Sequence, residues 1–333
     1  MNISFYQTKD WEAEYLEERL KGHKLNFFEE IPVFNEKFKD GSEVISIFVG
    51  FNFGQKEIKN YPNLKFIATR STGFDHIDIK SCARNNIQVS NVPTYGENTV
   101  AEFAFALLLA LSRKLYPALK YVKETGGFSP QGFMGFDLKG KVMGVVGTGY
   151  IGGHMVRMAK GFEMRVMAFD PHPKADLIKK YGVEYMSLED LLKESDVVSL
   201  HVPYMPATHH IVNKENIKLM KKGSVLINTA RGGLVETEGL LEAIDSGRLA
   251  GAAMDVLEEE GFVKDEMALL SNKHPNEKAL KTVLADHELI ARENVLITPH
   301  NAFNTKEAVT RILDVTITNI NSFIHGSPVN LVK

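Results

Sequence analysis

Three segments of the sequence place a chemically useful side chain directly after a mostly apolar stretch. His300 follows the stretch 295–298, and Arg231 follows the stretch 225–228. Histidine suits general acid–base work because its unperturbed pKa lies close to the pH at which most enzymes act. Arginine can hold a carboxylate through two parallel N–H bonds, which lysine cannot do. The two residues are therefore candidates for moving a proton and for binding an acidic substrate.

The third segment is acidic. Residues 251–254 have the character of a strand and lead into Asp255 and then into the glutamates 258–260. One of these glutamates could orient a histidine and favour its protonated form. The spacing does not settle which one, and a solvated run of charge is the alternative. Two further alternatives are not excluded by the sequence: His300 could be an ordinary loop histidine, and Arg231 could form a structural ion pair.

A glycine pattern indicates which kind of cofactor would bind beside these residues. Gly147, Gly149 and Gly152 follow an apolar strand and open a helix, which is the context in which G-x-G-x-x-G binds a dinucleotide. The first helical N–H groups would face the pyrophosphate. Asp170 ends the next strand, where a carboxylate accepts bonds from ribose hydroxyls and repels a 2′-phosphate. NAD is therefore favoured, with Lys174 leaving NADP open.

The position of this fingerprint is unusual because a well-patterned region of about 140 residues precedes it. Either two domains follow one another, or the cofactor domain is inserted into a domain that the chain re-enters. A length of 333 residues fits two domains. The inserted arrangement would bring both ends of the sequence to one cleft, which would then be the substrate site.

Composition excludes several classes of protein. A formal net charge of −3, with no long basic run, argues against nucleic acid or an anionic membrane as a partner. The single cysteine, Cys82, excludes a disulfide framework and a zinc cluster and is typical of a small buried apolar residue. The longest apolar run, 103–111, is too short to span a membrane, and the start at 1–6 reads as a strand. We expect a cytoplasmic protein without a metal site.

The elements that would position these residues alternate between strands and helices, which predicts parallel sheets in an α/β fold. The predicted helices include 151–162, 188–193 and 239–246, a long apolar helix over 98–121 and an amphipathic one over 305–323. Residues 258–289 are irregular and predict an insertion. The predicted strands are 44–50, 64–68, 87–92, 142–146, 165–169, 197–202, 224–228 and 295–298.

Taken together, four motifs resemble the D-isomer-specific 2-hydroxyacid dehydrogenases over nearly the whole chain. They are the fingerprint 146–152 with Asp170, the run Asn228-Thr-Ala-Arg-Gly-Gly233, the run Met254–Glu260 and Thr298-Pro-His300. Within the family the resemblance is greatest to the D-lactate dehydrogenases, through segments 70–78, 92–98 and 200–204. The resemblance implies two Rossmann-like domains with parallel sheets. A flavodoxin-like substrate domain of residues 1–99 and 300–333 would hold an inserted NAD domain of residues 100–299.

The resemblance also implies residue roles. His300 would protonate the keto oxygen as the hydride arrives, Glu260 would pair with it, and Arg231 would bind the substrate carboxylate. The substrate pocket would also include Thr72, Gly73 and Tyr95. Contacts to NAD would fall on Gly147, Gly149, Tyr150, Ile151, Gly152, Asp170, Val202, Pro203, Thr208, Thr229, Ala230, Arg231 and Asp255, the last facing the nicotinamide carboxamide.

The implied activity is reversible reduction of a 2-keto acid, pyruvate first, to the D-2-hydroxy acid. Lactate-specific relatives tend to carry a tyrosine near 48–51, where this chain has Gly50 followed by Phe51. A roomier pocket would accept phenylpyruvate or branched 2-keto acids, because one aromatic wall changes discrimination by only a few kcal/mol. An NAD-sensing binding protein is the alternative from another class. Family habit and the apolar helix near 100–111 predict a homodimer.

Overall fold

The computed structural model describes residues 1–34, 38–258, 260 and 277–332. The chain divides into two compact units, one made of Met1–Gly96 with Asn304–Lys333 and the other of Glu97–Phe303. The second unit is thus inserted into the first. Residues 97–99 and 300–303, which are predicted for the first domain, fall in the second unit, where hydrogen bonds to Asp255 hold Asn301 and Ala302.

The first unit is built on a five-stranded, wholly parallel sheet of order β2-β1-β3-β4-β5. Its residues are largely buried on both faces, as expected when helices cover a parallel sheet. Its strands are β1 (Asn2–Tyr6), β2 (Lys24–Phe28), β3 (Val44–Ile47), β4 (Phe66–Thr69) and β5 (Gln88–Ser90). Its helices are α1 (Asp10–Arg19), α2 (Gln55–Ile58), α3 (Ile79–Arg84) and the C-terminal α11 (Lys306–Ile324).

The C-terminal segment completes this unit. The ring of Phe323 in α11 stacks on that of Phe66 in β4, with centroids 4.4 Å apart. Leu331 then forms an antiparallel bridge to Ser90 at the edge of the sheet. Residues more than 200 positions apart in the sequence therefore share one core, which explains why the unit is discontinuous. The thiol of Cys82 lies in this core, and burial raises its pKa to about 11, as a structural cysteine requires.

The second unit contains a seven-stranded parallel sheet of order β12-β11-β10-β9-β6-β7-β8, the doubly wound arrangement that the fingerprint predicts. Its strands are β6 (Val142–Val146), β7 (Arg165–Phe169), β8 (Glu184–Tyr185), β9 (Val197–Leu200), β10 (Ser224–Asn228), β11 (Leu249–Met254) and β12 (Val295–Ile297). Its helices are α4 (Glu97–Ser112), α5 (Leu115–Thr125), α6 (Tyr150–Gly161), α7 (Ala175–Tyr181), α8 (Leu188–Glu194), α9 (Thr237–Asp245) and α10 (Glu277–Ala291). The predicted class of two parallel-sheet α/β domains is confirmed.

The predicted single helix over 98–121 is wrong, because the chain breaks into α4 and α5 at Lys114. This residue has a left-handed backbone (φ +48°) that no helix can continue through. Helix α4 is apolar because it is buried against α6 and the sheet, with Ala104 and Leu108 fully inaccessible. Helix α5 instead has no buried residue. Among the described residues, no helix is long and apolar enough to cross a membrane.

Candidate active site

The fingerprint turn joins β6 to α6 in a way that only glycine permits. Gly147 has a left-handed backbone (φ +91°), and a side-chain carbon there would lie 2.8 Å from the carbonyl oxygen of His201. A side-chain carbon at Gly152 would lie 1.9 Å from the carbonyl oxygen of Gly147. Gly149, by contrast, faces open space. The turn is therefore tight inside and open above Gly149, where a pyrophosphate can approach the backbone.

Asp170 holds this turn from the end of β7. Its carboxylate accepts hydrogen bonds from the backbone N–H of Thr148 at 2.7 Å and from that of His172 at 2.8 Å. Burial opposes ionisation of the carboxyl, but these bonds and one from the Thr148 hydroxyl keep its pKa below the usual value. Asp170 is therefore charged and fixed, as an acceptor for ribose hydroxyls must be.

Of the remaining cofactor candidates, Tyr150 and Ile151 begin α6, Asp255 follows β11, and the others lie after β9 and β10. The hydroxyl of Thr208 donates to the carbonyl of Pro203 at 2.6 Å, which closes the loop after Val202. Thr229 follows β10 and is almost fully buried. Within the described part of the chain, its hydroxyl has no hydrogen-bond partner. A buried hydroxyl without a partner costs free energy, so it fits a site at which a ligand supplies the bond.

Arg231 is presented by a turn with little freedom. The side chain of Asn228 donates to the carbonyl of Arg231 at 2.8 Å and accepts from the N–H of Ala230 at 3.0 Å. The following residue, Gly232, lies against the backbone of Leu257, where a side-chain carbon would approach the carbonyl oxygen to 1.9 Å. The guanidinium is partly exposed and donates to the carbonyl of Ala230 at 2.8 Å. Backbone packing therefore places Arg231 beside the segment that follows β11.

Asp255 organises the loop that carries His300. Its fully buried carboxylate accepts bonds from the hydroxyl of Thr298 at 2.5 Å and from the N–H groups of Asn301 and Ala302, each at 2.8 Å. Burial raises the pKa of this carboxyl, and these three bonds work in the opposite direction. The sequence analysis predicted a contact to nicotinamide and missed this positioning role. The nicotinamide contact stays a prediction.

His300 and Glu260 form an ion-pair geometry at the end of this loop. Nδ1 of His300 lies 3.1 Å from Oε1 of Glu260, and both side chains are partly exposed. His300 has a left-handed backbone (φ +53°), which is uncommon outside glycine and is fixed here by its N–H bond to the carbonyl of Asp255. Strained backbone of this kind clusters at functional sites. The loop thus holds an imidazole against a carboxylate with its ring still accessible.

The structure distinguishes the glutamates that the spacing left equivalent. Glu258 pairs with His210, whose Nε2 lies 2.6 Å from its Oε1, while Glu260 lies beside His300. Glu259 lies outside the described residues. The sequence alone does not predict the pairing of Glu258 with His210. Both residues are titratable, but they lie 48 positions apart, and no local sequence pattern links residues at that distance.

Three predicted substrate residues belong to the first unit. The hydroxyl of Thr72 donates to the carbonyl of Val92 at 2.8 Å, and the carbonyl of Gly73 accepts from the hydroxyl of Ser71 at 2.6 Å. Among the described residues, the backbone N–H groups of Thr72 and Gly73 donate to no protein acceptor. Tyr95 is partly exposed, and its carbonyl accepts from Arg311. Free N–H groups on successive residues are what a carboxylate ligand needs, so their role stays a reasonable prediction.

Comparison with known proteins settles the family. Residues 105–302 match the profile described as D-isomer specific 2-hydroxyacid dehydrogenase, NAD binding domain. The chain belongs to the D-isomer-specific 2-hydroxyacid dehydrogenases. The family match covers β6 to β12, and hence the fingerprint, Arg231, Glu260 and His300. The chain is accordingly an oxidoreductase with NAD as its cofactor, and the open Gly149 and the unpartnered Thr229 hydroxyl fit that group.

Similarity to individual members extends over almost the whole chain. The D-lactate dehydrogenase of Escherichia coli is 35% identical over 98% of this chain and 98% of its own length. A glyoxylate reductase of Korarchaeum cryptofilum is 35% identical over 90% of this chain and 84% of its own length. The crystal structure of D-lactate dehydrogenase from Aquifex aeolicus with NAD and lactic acid superimposes with a TM-score of 0.86 at 35% identity, covering 98% of this chain and 96% of that one. Similar identity to relatives of different names means that overall similarity does not select the substrate.

Proposed function

We propose that this 2-hydroxyacid dehydrogenase reduces pyruvate to D-lactate and catalyses the reverse reaction, with His300 as the acid and base. The observation that carries the proposal is the His300–Glu260 pair, 3.1 Å apart in a loop that Asp255 holds in a left-handed turn. D-lactate dehydrogenases among the relatives support pyruvate as the first substrate, through a bacterial sequence and a lactate-bound structure. The stereochemistry of the product is part of the proposal.

The proton is moved by residues of the second unit. In the reducing direction NADH, when bound, would supply a hydride for the keto carbon. We propose that His300 gives its proton to the keto oxygen. Glu260 faces Nδ1, so the other ring nitrogen, Nε2, is the atom that exchanges this proton with substrate. A carboxylate at Nδ1 holds the ring in one orientation, so that Nε2 faces away from Glu260. In the oxidising direction the same nitrogen takes the hydroxyl proton.

Arg231 binds the carboxylate that every 2-keto acid carries. Asn228 and Gly232 fix the backbone of the turn that carries Arg231. Because this backbone is already ordered, little conformational entropy is lost when the guanidinium binds the substrate. A charge-assisted bond of this kind discriminates strongly against neutral carbonyl compounds. Roles in substrate binding for Thr72, Gly73 and Tyr95 are implied by the resemblance and stay predictions.

The proposal for a roomy pocket rests on Gly50, the residue that the sequence indicates, and not on Phe51 beside it. Phe51 is fully buried in an aromatic cluster with Tyr6 and Phe34, so it serves the core of the first unit. Gly50 beside it carries no side chain, and a side-chain carbon there would meet nothing within 4 Å. Phenylpyruvate and branched 2-keto acids therefore remain alternative substrates.

A substrate panel tests the proposed activity. Purified protein with NADH is offered pyruvate, 2-ketobutyrate, phenylpyruvate and glyoxylate, and the hydroxy acid formed is separated on a chiral column. We expect the highest kcat/KM with pyruvate and D-lactate as its product. L-lactate as the product, or glyoxylate preferred over pyruvate by tenfold or more, would overturn the assignment. Tight NADH binding with no turnover on any member would instead favour an NAD-sensing protein.

We propose that the protein forms a homodimer through α5 and the loop that follows it. The apolar helix from which the dimer was expected, α4, is buried within its own unit, whereas α5 exposes Leu115, Tyr116 and Leu119. The loop exposes Phe128 by 98% and Met134 by 87%. Exposed apolar clusters of this size are typical of interaction surfaces. Light scattering coupled to size-exclusion chromatography is expected to give a molar mass of twice the 37.2 kDa of one chain. The double variant Leu119→Lys, Phe128→Lys is expected to have the mass of a single chain.

We also propose a cytoplasmic location. The one cysteine is buried with its thiol pKa raised, so the fold depends on no disulfide and suits a reducing compartment. Fractionation of expressing cells, with antibodies to the purified protein, is expected to find it in the cytoplasmic fraction.

A further inference from the structure

We infer that Glu258 is a positioning residue for the active site: its carboxylate fixes the segment that carries Glu260 against the turn that carries Arg231. The inference rests on the proposed function, because it assigns a consequence to the placement of those two residues. Glu258 does not itself face the reacting groups. It acts through three other segments of the second unit.

The two carboxylate oxygens of Glu258 bind two different segments. Oε1 lies 2.6 Å from Nε2 of His210, and Oε2 accepts from the N–H of Thr237 at 3.3 Å and from its hydroxyl at 3.1 Å. Thr237 is the first residue of α9, so the negative charge lies at the positive end of that helix. No side-chain bond from the N-cap residue Glu236 competes for this place. Glu258 therefore caps α9 and binds His210 at once.

The Arg231 turn lies between the segments that Glu258 joins. On one side Gly232 contacts the backbone of Leu257 and Glu258 so closely that no side chain fits. On the other side the N–H of His210 donates to the carbonyl of Gly233 at 2.9 Å. His210 has a left-handed backbone (φ +49°), which aims its ring at Glu258 while its N–H faces Gly233. The side-chain pair thus closes a ring of contacts around residues 231–233.

This ring couples the substrate-binding and proton-moving sides of the site. Glu260 is two residues from Glu258, and Arg231 is next to the glycine that contacts Glu258. Loss of the carboxylate releases both at the same time. The Arg231 turn then loses the packing of the Glu258 segment against it, which weakens keto-acid binding. Glu260 also loses its fixed distance to His300, which slows proton transfer. Groups that orient catalytic ligands in this way typically contribute 10- to 100-fold.

The experiment compares Glu258→Ala, Glu258→Gln and the control Glu236→Ala. Glu236 is also a carboxylate at the start of α9, but its bond goes to the N–H of Lys214 at 2.7 Å, away from residues 257–260. For Glu258→Ala we expect a rise in the KM of pyruvate and a fall in kcat that together lower kcat/KM about 10- to 100-fold. The affinity for NADH, followed by its fluorescence, is expected to stay within about twofold because Asp170 and the fingerprint are untouched.

Two further readouts separate positioning from simple loss of folding. Glu258→Gln keeps an acceptor for Thr237 and a hydrogen-bonding partner for His210, so most of kcat/KM is expected to return. Hydrogen exchange of residues 229–236 is expected to speed up in Glu258→Ala and to match the wild type in Glu236→Ala. Equal kcat/KM in Glu258→Ala and Glu236→Ala would overturn the inference, as would activity lost only in proportion to the folded fraction.

Failure of the proposed function would look different. A wild-type protein that turns over no 2-keto acid contradicts the proposed function, while the exchange of residues 229–236 still shows whether Glu258 holds the Arg231 turn. Unchanged exchange in Glu258→Ala, in a protein that does reduce pyruvate, contradicts the inference alone.

Discussion

Two histidine–glutamate pairs flank the loop after β11, and they share almost every local property. His300 and His210 both have left-handed backbones, with φ of +53° and +49°. Each imidazole is 17% exposed. The carboxylates differ: Glu260 is 28% exposed at 3.1 Å from its histidine, whereas Glu258 is 13% exposed at 2.6 Å. The pairs therefore differ in how far the carboxylate is withdrawn from solvent.

The surroundings of the two pairs explain the difference in role. The second oxygen of Glu258 is engaged by the first residue of α9, which ties the His210 pair into the scaffold. His300 instead ends the segment after β12, at the carboxyl edge of the parallel sheet, where ligands bind in this fold. We propose that the His300 pair is the catalytic one because of its place at the sheet edge. The local geometry does not decide this, because the His210 pair shares it.

The largest expected effect separates the two histidines. His300→Gln removes the group that moves the proton, so kcat for pyruvate reduction should fall by about 10²- to 10⁴-fold. His210→Gln is the matched control and should lower kcat far less, because His210 acts only through Glu258. Steady-state kinetics with NADH measures both. Similar losses in the two variants would contradict the division of roles.

The second effect separates the two glutamates by rate. Glu260→Gln removes the carboxylate that faces Nδ1 of His300 and orients its ring, so kcat for pyruvate reduction should fall about 10- to 100-fold. Glu258→Gln keeps an acceptor for Thr237 and is expected to retain most of kcat. Steady-state kinetics with NADH measures both variants. Equal losses of kcat would show that the two glutamates have equivalent roles.

The third effect tests the contact between the Arg231 turn and the loop. Gly232→Ala places a carbon 1.9 Å from the carbonyl oxygen of Leu257, so backbone must shift, at a cost of about 1–3 kcal/mol in unfolding free energy. Gly153→Ala is the control, since its position in α6 is open and alanine should stabilise the helix by about 0.5–1 kcal/mol. Urea denaturation gives both values. Equal stability in the two variants would show that the turn does not depend on the close approach.

The smallest effect measures the structural pair directly. A double-mutant cycle of His210→Gln and Glu258→Gln should give a coupling of about 1 kcal/mol in unfolding free energy, the size expected for a partly buried hydrogen-bonded pair. The cycle uses thermal or urea unfolding at neutral pH. If the changes in unfolding free energy of the two single variants add up to that of the double variant, the 2.6 Å contact contributes no stability of its own.

Much of the fold and the cofactor site could be predicted because the decisive patterns are local. The strands 142–146, 165–169 and 224–228 were predicted with their observed bounds, since each is a short apolar run closed by polar or glycine residues. Gly147 and Gly152 occupy positions at which a side chain would clash with backbone, and Gly149 leaves the approach of a pyrophosphate open, so the pattern indicates a dinucleotide. The types of residue at 231 and 300, each after a strand, indicated carboxylate binding and proton transfer, and the resemblance implied Glu260 and a 2-keto acid as substrate.

Tertiary structure alone decided which charged groups meet. Spacing left the glutamates 258–260 equivalent, and only the resemblance implied Glu260 for His300. The structure places Glu260 beside His300 and shows that Glu258 contacts His210 instead. The same holds for Asp255, whose buried carboxylate serves a segment more than 40 residues later. The sequence likewise does not show the break at Lys114, after which α5, and not α4, exposes a cluster of apolar side chains. Local sequence sets backbone preference and apolar pattern, whereas contacts between distant segments depend on packing that no local window contains.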